Sequence, residues 1–128
     1  MRQEVEGMKQ IRYQLVMRKR KCQLCGKNWA TDLHHIINRG RIPNTKLQDQ
    51  LPIHFYAMLC RPCNLNDSAI TADSDEGRRT LIQHNARKLY GVQGMRNALD
   101  RWHDLCRQYN VSFSIDYDNI QGWLNELS

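Results

Sequence analysis

The chain lacks any apolar run approaching the roughly 20 residues of a membrane-spanning helix. Its basic start, Met1-Arg2-Gln3-Glu4, is not followed by the hydrophobic stretch of a secretory signal. No repeat or low-complexity tract is present. These absences exclude a helical membrane protein and lead to the expectation of a reducing, cytoplasmic setting. Carboxylates are scarce in one half. Residues 1–66 hold twelve Lys/Arg against four Asp/Glu, or +8, whereas residues 67–128 hold seven against nine, or −2. A polyanionic partner would be drawn to the first half and not especially to the second. With 128 residues, 41% of them hydrophobic and 8% aromatic, one compact domain with a modest core is expected. Irregular loops in so small a chain need a metal or a partner to hold them.

Five cysteines in a reducing compartment read as thiolate ligands plus one spare rather than as disulfides. Cys22-x-x-Cys25 and Cys60-x-x-Cys63 form two knuckles with thirty-four residues between them. Four thiolates can surround zinc tetrahedrally and leave no open position, so the metal would be structural. Redox-active or merely buried cysteines are the competing reading. Cys106 stands apart on a long apolar helical series and reads as a core residue.

The remaining pattern is short-range in the first half and helical in the second. Val5, Met8, Ile11 and Leu15 have helical spacing and predict an amphipathic helix over residues 4–20. Its basic end, Arg18-Lys19-Arg20-Lys21, is either a solvated terminus or a phosphate-facing patch. Gly26 suits the turn of the first knuckle. Asp32 to Ile37 predicts a short strand, residues 38–50 a loop, and His54 to Leu59 an apolar run into the second knuckle. Asp73, with Glu76 three residues on, predicts a helix cap. That helix carries Leu81, Ile82 and Leu89 to a stop near Gly91. Val92, Met95, Leu99, Trp102, Leu105 and Tyr109 predict a second helix, with Trp102 as a core anchor. Val111, Phe113 and Ile115 alternate as in an extended segment, and Asp118 is placed to cap a last helix bearing Ile120, Trp123 and Leu124. His84 and His103, in this tail, read as structural or solvated.

Between the knuckles lie His34 and His35, preceded by Asp32, and Asn64 directly follows Cys63. Adjacent residues of a strand face opposite sides, so the two histidines would play different roles. Imidazole suits base chemistry near neutral pH and, like an Asn carbonyl, can ligate a divalent cation. Asp32 either orients a histidine, binds a cation, or is a solvated turn carboxylate.

The order Cys22-x2-Cys25, Asp32-Leu33-His34-His35-Ile36 and Leu59-Cys60-Arg61-Pro62-Cys63-Asn64-Leu65 resembles the zinc-stapled HNH, or ββα-metal, endonucleases of bacteriophages and bacteria. The resemblance covers residues 20–67, about half of the chain. It implies an α+β fold: a small ββα-metal core (22–72) with a structural four-cysteine zinc site, a basic N-terminal helix (1–21) and a mainly helical extension (73–128). It implies cytoplasmic action, in a host cell if the protein is phage-encoded. It also implies a catalytic magnesium, manganese or similar ion held by His34 and Asn64, with His35 as general base. The family's middle Asn is missing, because its place is taken by Phe55. His54, one residue away, is either an orienting or substrate-contacting group or a plain structural residue. Arg39, Arg41 and Arg61 are candidate phosphate contacts on DNA, expected to be duplex. A zinc-dependent nucleic-acid-binding module without cleavage is the alternative, and in either case the C-terminal helices are a candidate surface for a protein partner or a second copy.

Overall fold

The computed structural model describes residues 19–37, 42, 44–65 and 71–128. The N-terminal helix expected before residue 19, and the candidate contacts Arg39 and Arg41, lie outside the described residues. Strand β1 (Asp32–His35) pairs antiparallel with β2 (Tyr56–Leu59), with Asp32 opposite Leu59 and His35 opposite Tyr56. All four β2 residues are buried, as their Tyr-Ala-Met-Leu sequence requires. A one-turn helix, named α2 below (Arg61–Asn64), follows the second strand and touches the first.

The connection between the strands is not wholly loop. Helix α1 (Thr45–Gln48) interrupts it because the Asn44 side chain accepts hydrogen bonds from the Lys46 and Leu47 amides, at 2.9 and 3.3 Å. Leu47, fully buried, anchors that turn in the core. A 3-10 turn over Ile53–Phe55 then leads into β2.

Helix α3 spans Asp75–Asn85 and is capped by Ser74, not Asp73: the Ser74 hydroxyl accepts from the Gly77 amide at 3.0 Å. The same hydroxyl donates to the Thr71 carbonyl, at 2.6 Å, which folds residues 71–72 tightly over the first turn. A Cβ at Gly77 would stand 2.0 Å from that carbonyl oxygen, so only glycine fits there. The expected stop near Gly91 is present, with φ +76°, but a π-helical turn over Ala86–Tyr90 precedes it. Its wider winding breaks the apolar register, and Leu89 is 41% exposed while Leu81 and Ile82 are fully buried.

Helix α4 (Gly91–Gln108) buries Met95, Leu99, Trp102 and Cys106 in line with its spacing. The alternation at Val111, Phe113 and Ile115 does not make a strand. Helix α5 (Ser114–Asn125) begins at Ser114, leaving Ile115 74% exposed and Asp118 inside the helix instead of capping it. The Tyr117 amide bonds the Phe113 carbonyl at 2.8 Å, so the helical turn closes where alternation suggested extension. Arg78 pairs with Asp116 at 3.5 Å, Arg79 with Glu126, and Arg96 donates to Asn125 at 2.9 Å, fastening α5 to α3 and α4.

One continuous hydrophobic cluster runs from Cys22 through β2 to Leu81, Trp102 and Leu124. The position between residues 72 and 73 therefore falls inside a shared core. Among the described residues no helix is long and apolar enough to cross a membrane.

Candidate metal centre and adjoining polar site

The first knuckle turns because the Gly26 amide bonds the Cys22 carbonyl at 2.9 Å and the Cys22 amide bonds the Asn28 carbonyl at 2.7 Å. Gly26 adopts φ +70° with open space around it, so its backbone conformation and not crowding calls for glycine. In the second knuckle Cys60 precedes α2 and Cys63 lies within it, with Pro62 in the first turn, where a missing amide hydrogen costs nothing. The four sulfurs of Cys22, Cys25, Cys60 and Cys63 lie within 4.8 Å of one another, and Cys25 and Cys60 are 3.9 Å apart.

Tetrahedral zinc with bonds of about 2.3 Å sets its sulfurs about 3.8 Å apart, so the group fits such a metal. Backbone amides of Asn28 and Lys27, then the Cys22 and Cys63 thiols, lower the Cys25 thiol to about 6 against the opposing effect of burial. A sulfur so placed is already a thiolate at neutral pH, the form that binds metal. Cys106 is outside the group, and burial pushes its thiol up to about 11, as suits a core residue.

A second polar cluster lies on β1 and α2. Asn64 Nδ2 donates to Asp32 Oδ2 at 3.0 Å, which leaves Asn64 Oδ1 facing His34 Nδ1 at 3.3 Å. The carboxylate of Asp32 also accepts from the Thr31 hydroxyl at 2.9 Å and pairs with Arg61 Nε at 3.1 Å. Burial raises the Asp32 carboxyl, but the Thr31 and Asn64 hydrogen bonds and the Arg61 charge outweigh it, and the net shift is downward. Asp32 thus has little solvent contact and holds the Asn64 amide, while Arg61, 70% exposed, is paired to it through Nε.

Because an amide oxygen only accepts, the Asn64 contact places the His34 proton on Nδ1 and a lone pair on Nε2. That Nε2 is buried without a hydrogen-bond partner and lies 3.7 Å from Asp73 Oδ1. Burial lowers the His34 pKa, partly offset by Asp73 and the Asn64 bond, which keeps the ring neutral at physiological pH. Two acceptors facing each other at this distance fit a shared cation with bonds of about 2.0–2.2 Å, typical of imidazole and carboxylate ligands. The sequence pattern marks Asp73 only as a helix cap. Nothing in its local pattern signals a partner thirty-nine positions earlier.

His35, on the next position of β1, sits with its ring 4.7 Å from Tyr56, its partner across the sheet. The structure therefore brings His34, Asn64, Asp32, Arg61 and Asp73 together, with His35 adjacent on the strand. His54 has different surroundings. Its ring packs 4.5 Å from Tyr90, its Nδ1 is buried without a hydrogen-bond partner, and burial, then the Arg101 charge, lowers its pKa. His84 is half-buried, and His103 stacks on Tyr117. Comparison of the chain with protein-family models, curated proteins and solved structures found no match in any of the three.

Proposed function

We propose that this protein is a zinc-stapled, divalent-metal-dependent endonuclease of the HNH kind that hydrolyses phosphodiester bonds in DNA. The observation that carries the reading is the neutral, buried His34 with its Nε2 lone pair turned toward Asp73, one strand position from His35. His34 and Asp73 would hold the catalytic ion, with Asn64 fixing the ring between them. The resemblance makes Asn64 itself a ligand, whereas its contact here suits an orienting role. A divalent ion bound there would supply charge neutralisation on the phosphoryl oxygens. His35 takes the proton from the attacking water, on the opposite face of the strand from His34. The cysteine group would hold this strand and α2 in register, since Cys60 precedes and Cys63 lies within the turn that ends in Asn64.

Nicking of supercoiled plasmid by the zinc-loaded protein in magnesium, manganese or nickel tests the reading. His35→Ala is expected to lower the rate by about 100-fold or more while zinc content and DNA binding persist. Asp73→Asn is expected to raise the metal concentration for half-maximal rate by about 10-fold. No nicking by the unsubstituted protein with any of the three metals rejects it. Binding without cleavage is the second reading, and the exposed cationic surface of the first knuckle favours it, because that surface serves binding whether or not a bond is cut.

A further inference from the structure

The first knuckle carries an exposed aromatic ring that the cutting site does not use. Trp29 is 59% exposed in a chain whose Trp102 is fully buried. Its position is fixed by backbone: Lys21 bridges to Trp29, and the Ala30 amide bonds the Arg20 carbonyl at 2.9 Å. This short ribbon sets the indole beside Lys19, Arg20 and Lys21. The Lys21 ammonium lies 4.2 Å over the ring, and it also donates to the Lys27 carbonyl at 3.3 Å. One face of the indole is thus covered by a cation. Beside the indole a cleft of about 340 Å3 is lined, among the described residues, by Lys19, Arg20, Trp29 and Ala30. Among the described residues no carboxylate pairs with Lys19, Arg20, Lys21 or Lys27, so their charge is available to an anion.

An indole fixed among three cations matches the chemistry of an unpaired nucleotide, whose base offers a flat face and whose linkages offer phosphates. Duplex DNA would satisfy the cations but hides its base faces in the stack. An acidic peptide would likewise leave the ring without a stacking partner. We propose that Trp29 and the surrounding Lys19, Arg20 and Lys21 form a single-strand contact, in which one unpaired base stacks on the open face of the indole and adjoining phosphates meet the cations. The inference rests on the nucleic-acid part of the function proposed above and not on cleavage.

The test uses the zinc-loaded full chain and a labelled oligothymidylate of about 12 nucleotides, within the usual range of single-strand sites. By anisotropy, Trp29→Ala is expected to weaken single-strand binding about ten-fold, Trp29→Phe to retain most of it, and both to keep the zinc content. Binding of the matching duplex is expected to change less than two-fold. Tryptophan emission of the unsubstituted protein is expected to fall on adding the single strand, and that fall to vanish in Trp29→Phe. Equal single-strand affinity in Trp29→Ala, or an equal loss for single strand and duplex, overturns the proposal and leaves the nuclease reading standing. If neither form binds the unsubstituted protein, both fail. Binding with this pattern but without plasmid nicking removes cleavage alone.

Discussion

The Asn85 carboxamide has no solvent exposure and makes three hydrogen bonds toward the strand layer. Its oxygen accepts from Gln23 Nε2 at 2.7 Å, and its nitrogen donates to the His54 and Tyr56 carbonyls, both at 3.0 Å. Gln23, inside the first knuckle, in turn accepts from the Met58 amide at 2.5 Å. Two side chains thereby join the knuckle, β2 and α3 through hydrogen-bonded buried groups, where a missing partner is most costly. Asn85→Ala strands one amide donor and withdraws a donor from two carbonyls. It is expected to cost about 2–4 kcal/mol, read from urea unfolding of the zinc-loaded protein. Asn85→Asp is expected to be destabilising too, because a carboxylate cannot donate to the carbonyls. A cost below about 0.5 kcal/mol for both would mean that the network is not holding the layers together. Sequence patterning could not single out Asn85, since a polar residue on an amphipathic helix looks solvated until the opposing strand is known.

At the scale of elements, residues that act through their neighbours in sequence were legible. The spacing of Cys22, Cys25, Cys60 and Cys63 foretold a group whose sulfurs cluster so that they could hold a metal, and Gly26 and Gly91 marked turns that both adopt positive φ. The regular helix α4 followed its periodicity. Elements decided by side-chain competition were not legible: Ser74 took the cap from Asp73, Asn44 drew a helix from a presumed loop, and the π turn moved Leu89 outward. The 3-10 turn carrying His54 belongs to this second group, because its ring packs on Tyr90, distant in sequence.

That placement has a pH consequence. The folded His54 pKa lies below the ordinary value of 6.5, so folding favours the neutral ring. Its contribution is complete above about pH 6.5 and is lost as pH falls from there through the folded pKa, because the unfolded chain takes up the proton first. His54→Phe keeps a ring against Tyr90 and removes the unpartnered buried nitrogen. The stability difference between this variant and the unsubstituted protein is expected to shift in favour of the variant between pH 6.5 and 5. Taking that difference cancels the parallel downward shifts at His34 and His84. A pH-independent difference would place the His54 ring in a solvated setting. Retained nicking by His54→Phe would assign it a structural role.

Across the whole molecule, the four-cysteine group and the helices share one core, so removal of a metal held by those sulfurs should be felt far from them. Without a metal, four clustered thiols no longer close the thirty-four residues between the knuckles, and the chain recovers that loop entropy on unfolding. Loosening the knuckles withdraws Gln23 from Asn85, which also holds the Tyr56 carbonyl of β2, and opens the core that the knuckles and helices share. Trp102 reports on the helical layer, since it is fully buried and meets Phe113 edge-on at 6.3 Å. Chelation at pH 7 is therefore expected to abolish the near-ultraviolet signal of the buried tryptophan in the same transition that removes the metal. A ligand present at about 1,000 times its dissociation constant stabilises by about 4 kcal/mol, which for a chain of this size corresponds to a melting shift of roughly 10–20 °C. Added zinc should restore both signals together. If the helices kept their native near-ultraviolet spectrum after complete zinc removal, the two halves would be independent units. The Gln23–Asn85 contact would then be incidental to the fold.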